Sequence, residues 1–190
     1  MAFKKKHDKT RVHDIMFIFM VFTLLTTPYS CRIFLPFREV RRIVQRIDPC
    51  CVYSRVQTES LYDIEHIVPR KICEELFQGH YPQYENDMHT LFKCTPSLNR
   101  KRGYKKFGNV DTKDTFGIDD TDARAIVSRA CMYFRDNLSM YQCDMFHEKV
   151  IGKDTLEEWY DKYGVHVNET DITRERIVRM YQKTKNKYVF

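Results

Sequence analysis

Apolar positions recur along this chain with two different periods. Phe34, Phe37, Val40, Ile43, Val44 and Ile47 fall three and four residues apart, which predicts a helix and its exit over residues 32–57. Arg38, Arg41, Arg42 and Arg46 take the other face, where a solvated surface explains them better than a nucleic-acid contact. Leu61, Tyr62, Ile64, Ile67 and Val68 then read as a half-buried strand that Pro69 closes. Residues 88–92 read as a second short strand, and residues 73–77 between them as a short helix. The Gly, Pro and Asn of residues 78–86 mark a loop. Thr95 followed by Pro96 predicts a helix start, with a capping hydroxyl and proline at the first helical position.

Residues 103–120 are polar and loop-like. From Thr121 onward Ile126, Val127, Ala130, Cys131, Phe134 and Leu138 share one helical face, which makes this a core helix. Asp154 and Glu157 have capping-box spacing at the head of a helix over residues 154–163, with Leu156, Trp159 and Tyr160 inward. A last helix over residues 171–183 buries Ile172, Ile177, Val178 and Tyr181. The order is helix, two strands, then mostly helices, with no internal repeat. This is an α+β chain with one domain over residues 31–190.

The first thirty residues stand apart. Lys4, Lys5, Lys6, Lys9 and Arg11 lead into residues 15–25, apolar apart from Thr23. That run is shorter than the roughly 20 residues a spanning helix needs, and its flanks fit a secretory signal peptide. Pro28 crowds the exit, so an uncleaved anchor formed by residues 15–25 stays open as the alternative to secretion. Seven cysteines follow or border this run: Cys31, Cys50, Cys51, Cys73, Cys94, Cys131 and Cys143. On an oxidising route they are expected to form disulfides, with a connectivity the sequence does not reveal and at least one thiol left over. No Cys-x-x-Cys occurs, which argues against a zinc site. The formal net charge of +6 suits an acidic partner or simple solubility.

The chemistry concentrates in two stretches. LYDIEHIVPR (residues 61–70) sets Glu65 beside His66, a carboxylate and an imidazole suited to metal ligation and proton transfer. NDMHTLFKCTPSLNRKRGYKKFG (residues 86–108) sets Asn99 in the first turns of a helix among Arg100, Lys101 and Arg102, an expensive choice for a packing helix and a sensible one for a metal-bound phosphate. A strand with Glu-His, a second with Asp-x-His, and a short helix bearing Asn before Arg-Gly together resemble the endonuclease I family, non-specific nucleases of the ββα-metal (His-Me finger) class. The matching residues are Asp63, Glu65, His66, Pro69, Asp87, His89, Leu91, Pro96, Asn99, Arg102, Gly103, Phe107 and Gly108. The resemblance continues into residues 122–134 and 174–186 and covers most of the chain after about residue 55.

The resemblance implies a ββα-metal finger embedded in a mainly helical domain, and a metal-dependent endonuclease that cuts DNA with little sequence preference, leaving 5′-phosphate ends. RNA stays open as a second substrate, and the protein is expected to act as a monomer without a small-molecule cofactor. His66 would be the general base, since imidazole with a reference pKa near 6.5 is substantially neutral at pH 7. Glu65 and Asn99 would hold a single Mg²⁺, or another divalent cation such as Mn²⁺ or Ca²⁺. Arg102 would assist catalysis at the phosphate, with Arg100, Lys101, Lys105 and Lys106 as further nucleic-acid contacts. Neighbours on a regular strand point to opposite faces, so Glu65 and His66 can serve one phosphate only where the strand twists or ends. By the same alternation His89 points away from Glu65, leaving it a structural or a catalytic role, and His80 reads as an exposed loop residue. Thr90 replaces the family's Asn after His89, and Lys183-Thr184-Lys185 replaces a Gly-Asn step. Two other readings use the same residues: an inactive nucleic-acid-binding protein of this fold, and a disulfide-linked structural protein in which Glu65 and His66 form a buried pair.

Overall fold

The first helix, α1 (Phe37–Ile47), forms where the apolar spacing is helical and stops at Asp48-Pro49. Proline's missing N–H and the extended conformation it imposes on Asp48 end the ladder there, well short of residue 57. The computed structural model describes Ile33 and residues 35–58, 61–78 and 82–190. The basic lead, residues 15–25, Cys31 and His80 lie outside the described residues, and so do the signal or anchor expectations that rest on them. Among the described residues no helix is long and apolar enough to cross a membrane.

Strand β1 (Asp63–His66) pairs antiparallel with β2 (Leu91–Cys94), with Glu65 opposite Phe92 and His66 opposite Leu91. Both strands are shorter than the apolar runs suggested. The expected strand over residues 88–92 begins three residues late, because Asp87–Thr90 is a turn closed by the Thr90 N–H and Thr90 Oγ1, both donating to the Asp87 carbonyl at 3.0 Å. Thr90 thus supplies the turn bond that an amide could have made. Between the strands lie α2 (Arg70–Phe77), which starts directly after Pro69, and a one-turn helix α3 (Pro82–Glu85) inside the stretch expected to be all loop. Helix α4 (Pro96–Arg102) follows β2 at once. Thr95 occupies its N-cap position, yet the hydroxyl makes no capping bond, contrary to expectation; it lies 3.9 Å from the Cys51 sulfur instead.

The polar stretch 103–120 is not all loop: β3 (Lys106–Gly108) and β4 (Thr115–Gly117) form a second, parallel pair. The core helix α5 (Thr121–Arg135) begins on an Asp120 cap and is buried along nearly all its length. Helix α6 (Met140–Lys149), capped by Ser139 and Gln142, had no clear apolar period and was not anticipated. Helix α7 (Lys153–Trp159) uses Gly152 as its N-cap, so the expected Asp154–Glu157 capping box does not form; it continues as a π-helical turn, Tyr160–Gly164. The last helix, α8 (Glu169–Gln182), starts two residues earlier than expected, on a capping box of Asn168 and Asp171. Among the described residues, helices and two two-stranded sheets make the fold α+β.

The buried face of α8 is polar rather than apolar: Asp171, Glu175 and Gln182 are buried with Val178, while Tyr181 is exposed. These polar groups have work elsewhere in the fold. Arg174 donates to Asp48 at 2.7 Å and to the carbonyls of Met88 and Leu91, and Gln182 donates to Asp87 at 2.8 Å. Helix α8 therefore clamps the turn that leads into β2. Its own N-terminus is held by Arg129 of α5, which reaches Asp171 at 2.5 Å and the carbonyls of Gly164 and His166. Arg129 and Asp171 are both buried, and removing one partner of such a pair leaves an uncompensated charge. We expect Asp171→Ala to destabilise the protein by about 3 kcal/mol in urea denaturation, with Arg129→Met/Asp171→Ala recovering part of that loss. A single-variant cost below about 0.5 kcal/mol would show that Arg129 does not depend on this partner.

Candidate active site

Strand β1 ends at His66, and the chain then turns through Ile67 and Val68 into Pro69. That ending removes the alternation problem, because Glu65 and His66 both line one open cleft of about 450 Å³. Helix α4 adds Asn99 and Arg102 to the same cleft, α1 adds Phe37 and Arg41, and Arg70 and Tyr104 complete its rim. Gly103 ends α4 with φ +51°, a left-handed value that favours glycine, and its N–H bonds the Asn99 carbonyl at 2.9 Å. The chain can therefore turn away directly after Arg102.

Glu65 is the most constrained member, with 1% of its surface exposed. Its Oε1 accepts the Tyr53 hydroxyl at 2.7 Å and lies 3.1 Å from an Arg102 guanidinium nitrogen. Arg102, 2% exposed, also donates to the carbonyls of His66 at 3.0 Å and Ile67 at 2.7 Å. Among the described residues Oε2 has no such partner, so one oxygen is anchored and the other is left for the cleft. Burial pushes the Glu65 carboxyl above the usual glutamate range, against the opposing pull of Arg102 and Tyr53. Glu65 pairs with Arg102 and Tyr53, not with His66.

His66 stacks on Phe37 at 5.8 Å. His66 as a residue keeps part of its surface exposed, but Nε2 is buried and has no hydrogen-bond partner among the described residues. Burial, then the nearby charges of Arg70 and Arg102, lower its pKa to about 4. The imidazole is therefore fully neutral at pH 7. It has its lone pair available, but it is a weaker base than its reference value implied.

The remaining expected residues divide. Asn99 is half-buried on the cleft wall. Arg100, Lys101, Lys105 and Lys106 do not line the cleft. Lys101 pairs with Asp111, and Lys105 donates to the Thr112 carbonyl at 2.7 Å, so both turn toward the 109–115 loop. His89 lies elsewhere too, buried with Nδ1 3.0 Å from Glu175 and Nε2 3.0 Å from Thr184, in contact with Tyr133. Thr184, at the position where the C-terminal pattern departs from the family, is thus the residue that meets His89. Arg70 and Tyr53 are not singled out by the sequence, Phe37 reads there only as a packing position of the first helix, and Arg41 reads as solvated surface rather than a nucleic-acid contact, whereas both Phe37 and Arg41 line the cleft. Arg70 directly follows Pro69 and could have been found by that adjacency. The short CCVYSR segment around Tyr53 carries no such signal.

Among the described residues no three His, Cys, Asp or Glu side chains cluster to hold a metal. No protein-family model matches the chain, and a search of curated proteins finds no significant match.

Two outcomes follow from these contacts. His66 has a lower pKa folded than the 6.5 of the free side chain, so the unfolded chain binds the extra proton first as pH falls. Stability held by neutral His66 is complete above about pH 6.5 and is lost on the way down to about pH 4. Wild type should therefore lose about 2 kcal/mol more than His66→Asn between pH 7 and 4.5, by urea denaturation; equal losses would refute the burial argument. Tyr53→Phe removes one hydrogen bond to Glu65 and should raise the Glu65 pKa further, seen as a carboxyl chemical shift that titrates at higher pH than in wild type.

Proposed function

We propose that this protein is a metal-dependent endonuclease of the ββα-metal type that hydrolyses phosphodiester bonds of DNA, with RNA as a further substrate. The reading rests on the convergence of Glu65, His66 and Asn99 on one cleft, from the end of a β-strand and the helix that follows its partner. Chance Glu-His neighbours have no reason to meet an amide thirty-four residues on in an exposed cleft beside three arginines.

Glu65 Oε2 and the Asn99 amide oxygen are the hard donors that would hold the cation, and two protein donors suit a Mg²⁺ that keeps most of its waters. A divalent cation bound there would draw charge from the phosphate and the departing 3′ oxygen. His66 accepts the proton of the attacking water through its ring, with Phe37 stacked against the imidazole. Arg102 neutralises Glu65 and holds the two carbonyls at the strand end, so it orients the acid. Arg41 and Arg70, exposed on the cleft wall, are the better candidates for direct phosphate contact, Arg70 while its Nε stays paired with Glu85.

The burial of Nε2 favours one competing reading, a protein of this fold that binds nucleic acid without cutting it. Incubating the protein with plasmid DNA and with RNA, with and without Mg²⁺, separates the two. Cleavage that EDTA stops and that His66→Ala lowers at least ~100-fold is expected; salt-sensitive retention without cleavage in any divalent metal would support the competitor. Mg²⁺ should also raise the Tm of wild type and leave that of Glu65→Gln unchanged. Because burial raises the Glu65 carboxyl, both the Tm rise and cleavage should fade in acid at a pH above the ordinary glutamate range.

A further inference from the structure

The Sγ atoms of Cys51 and Cys94 lie 3.6 Å apart, and both side chains are wholly buried. Among the described residues no other two sulfurs come within hydrogen-bonding distance, and all six described cysteines are thiols. The Cys51 sulfur also receives the Thr95 N–H at 3.4 Å. Backbone bonds already fix the two segments side by side, with the Val52 N–H donating to the Lys93 carbonyl at 2.8 Å. The remaining closure to a bonded sulfur pair, about 1.5 Å, is within the reach of side-chain rotation.

We infer that Cys51 and Cys94 are a cross-linking site: in an oxidising compartment they close into a disulfide that ties the Tyr53 segment to the junction between β2 and α4. The position matters for the site. Cys51 is two residues before Tyr53, whose hydroxyl holds Glu65, and Cys94 is two residues before the helix that carries Asn99. One covalent bond would thus fix the supports of both proposed metal donors relative to each other. The inference does not depend on the nuclease reading, since it follows from two buried sulfurs and a rigid backbone.

The chemistry needs an oxidant, and a low-molecular-weight disulfide supplies it. Cys51 attacks as the thiolate, the Cys51–small-thiol bond forms, and one small thiolate leaves and takes up a proton. Cys94, deprotonated in turn, attacks the Cys51 sulfur and expels the second small thiol. Two protein thiols lose two electrons and two protons, and the small disulfide becomes two thiols. The two thiols can exchange these roles while the site is open; once the segments have met, hydrogen bonds from Cys94 and from the 54 and 95 positions lower the Cys51 thiol to about 4. Both sulfurs are shielded in the folded protein, so the exchange belongs to the folding chain, before the site closes.

The test uses the whole chain, reduced and unfolded, then refolded with oxidised glutathione. Free thiols are blocked under denaturing conditions and the peptides are mapped by mass spectrometry. Cys50→Ser protein is mapped in parallel, because Cys50 and Cys51 share a peptide. Cys51 and Cys94 should appear as one linked pair in both proteins, and the oxidised form should melt on the order of 10 °C above the reduced form, since the bond closes a loop of 43 residues. Cys143→Ser should keep both the link and the Tm difference. Free Cys51 and Cys94 in the oxidised protein, a link from Cys94 to any other cysteine, or equal melting of the two forms would overturn the inference. The wild-type comparison stands even where Cys51→Ser or Cys94→Ser fails to fold.

Discussion

A buried carboxylate meeting a buried guanidinium is the contact on which the rest of this structure depends. Glu65 and Arg102 are almost fully withdrawn from solvent, yet they belong to different elements, a strand and a helix joined through the whole of α2, α3 and β2. Neither charge could stay buried alone; each would cost several kcal/mol. Their pairing sets α4 across the end of β1. The same guanidinium satisfies two carbonyls exactly where the strand ladder stops, so it compensates for the ladder bonds lost there. A lysine could match the charge, but its compact ammonium lacks the planar fork that spans Glu65 and both carbonyls.

The contact leaves the acid incompletely compensated. Even with Arg102 and Tyr53 on one oxygen, burial wins and the Glu65 carboxyl stays raised. A group in that condition is driven toward neutrality, and a cation at its second oxygen, as proposed above, would relieve it. His66 shows the complementary effect, its positive form disfavoured by burial and by two arginines. One cleft therefore holds an acid inclined to lose its charge and a base inclined never to gain one. Paired groups driven in opposite directions by their surroundings are a recurrent mark of functional sites.

The supports of this cleft are less conventional than the cleft itself. Helix α8 packs on the turn before β2 through Arg174, Glu175 and Gln182 rather than through an apolar stripe. Hydrogen bonds fix direction where apolar contacts fix only proximity, and a turn that must deliver β2 in one register gains from the former. Two separate apolar clusters complete the arrangement. Ile64 and Leu91 pack with Val40, Val44, Met88 and Val178 on one side of the small sheet, and Phe92 and Cys94 join the main core on the other.

The chain's own residues determined a good part of this. Helical spacing was enough for α1 and α5, the strand beginning near Glu65 followed from its apolar flanks, and the Pro96 start of α4 followed from proline's fixed geometry. Glu65, His66 and Asn99 could be named as candidates because their combination resembles the motif of a known family; the Glu-His pair by itself is common. Tertiary structure alone decided the rest. The buried polar face of α8, the partner of His89, the turn of Lys101 and Lys105 away from the cleft, and the union of Tyr53 with Glu65 all join residues distant in the chain. Periodicity reports which side of an element is apolar, and it is silent on which buried polar group finds which other; that is settled only when every charge and donor must be satisfied at once.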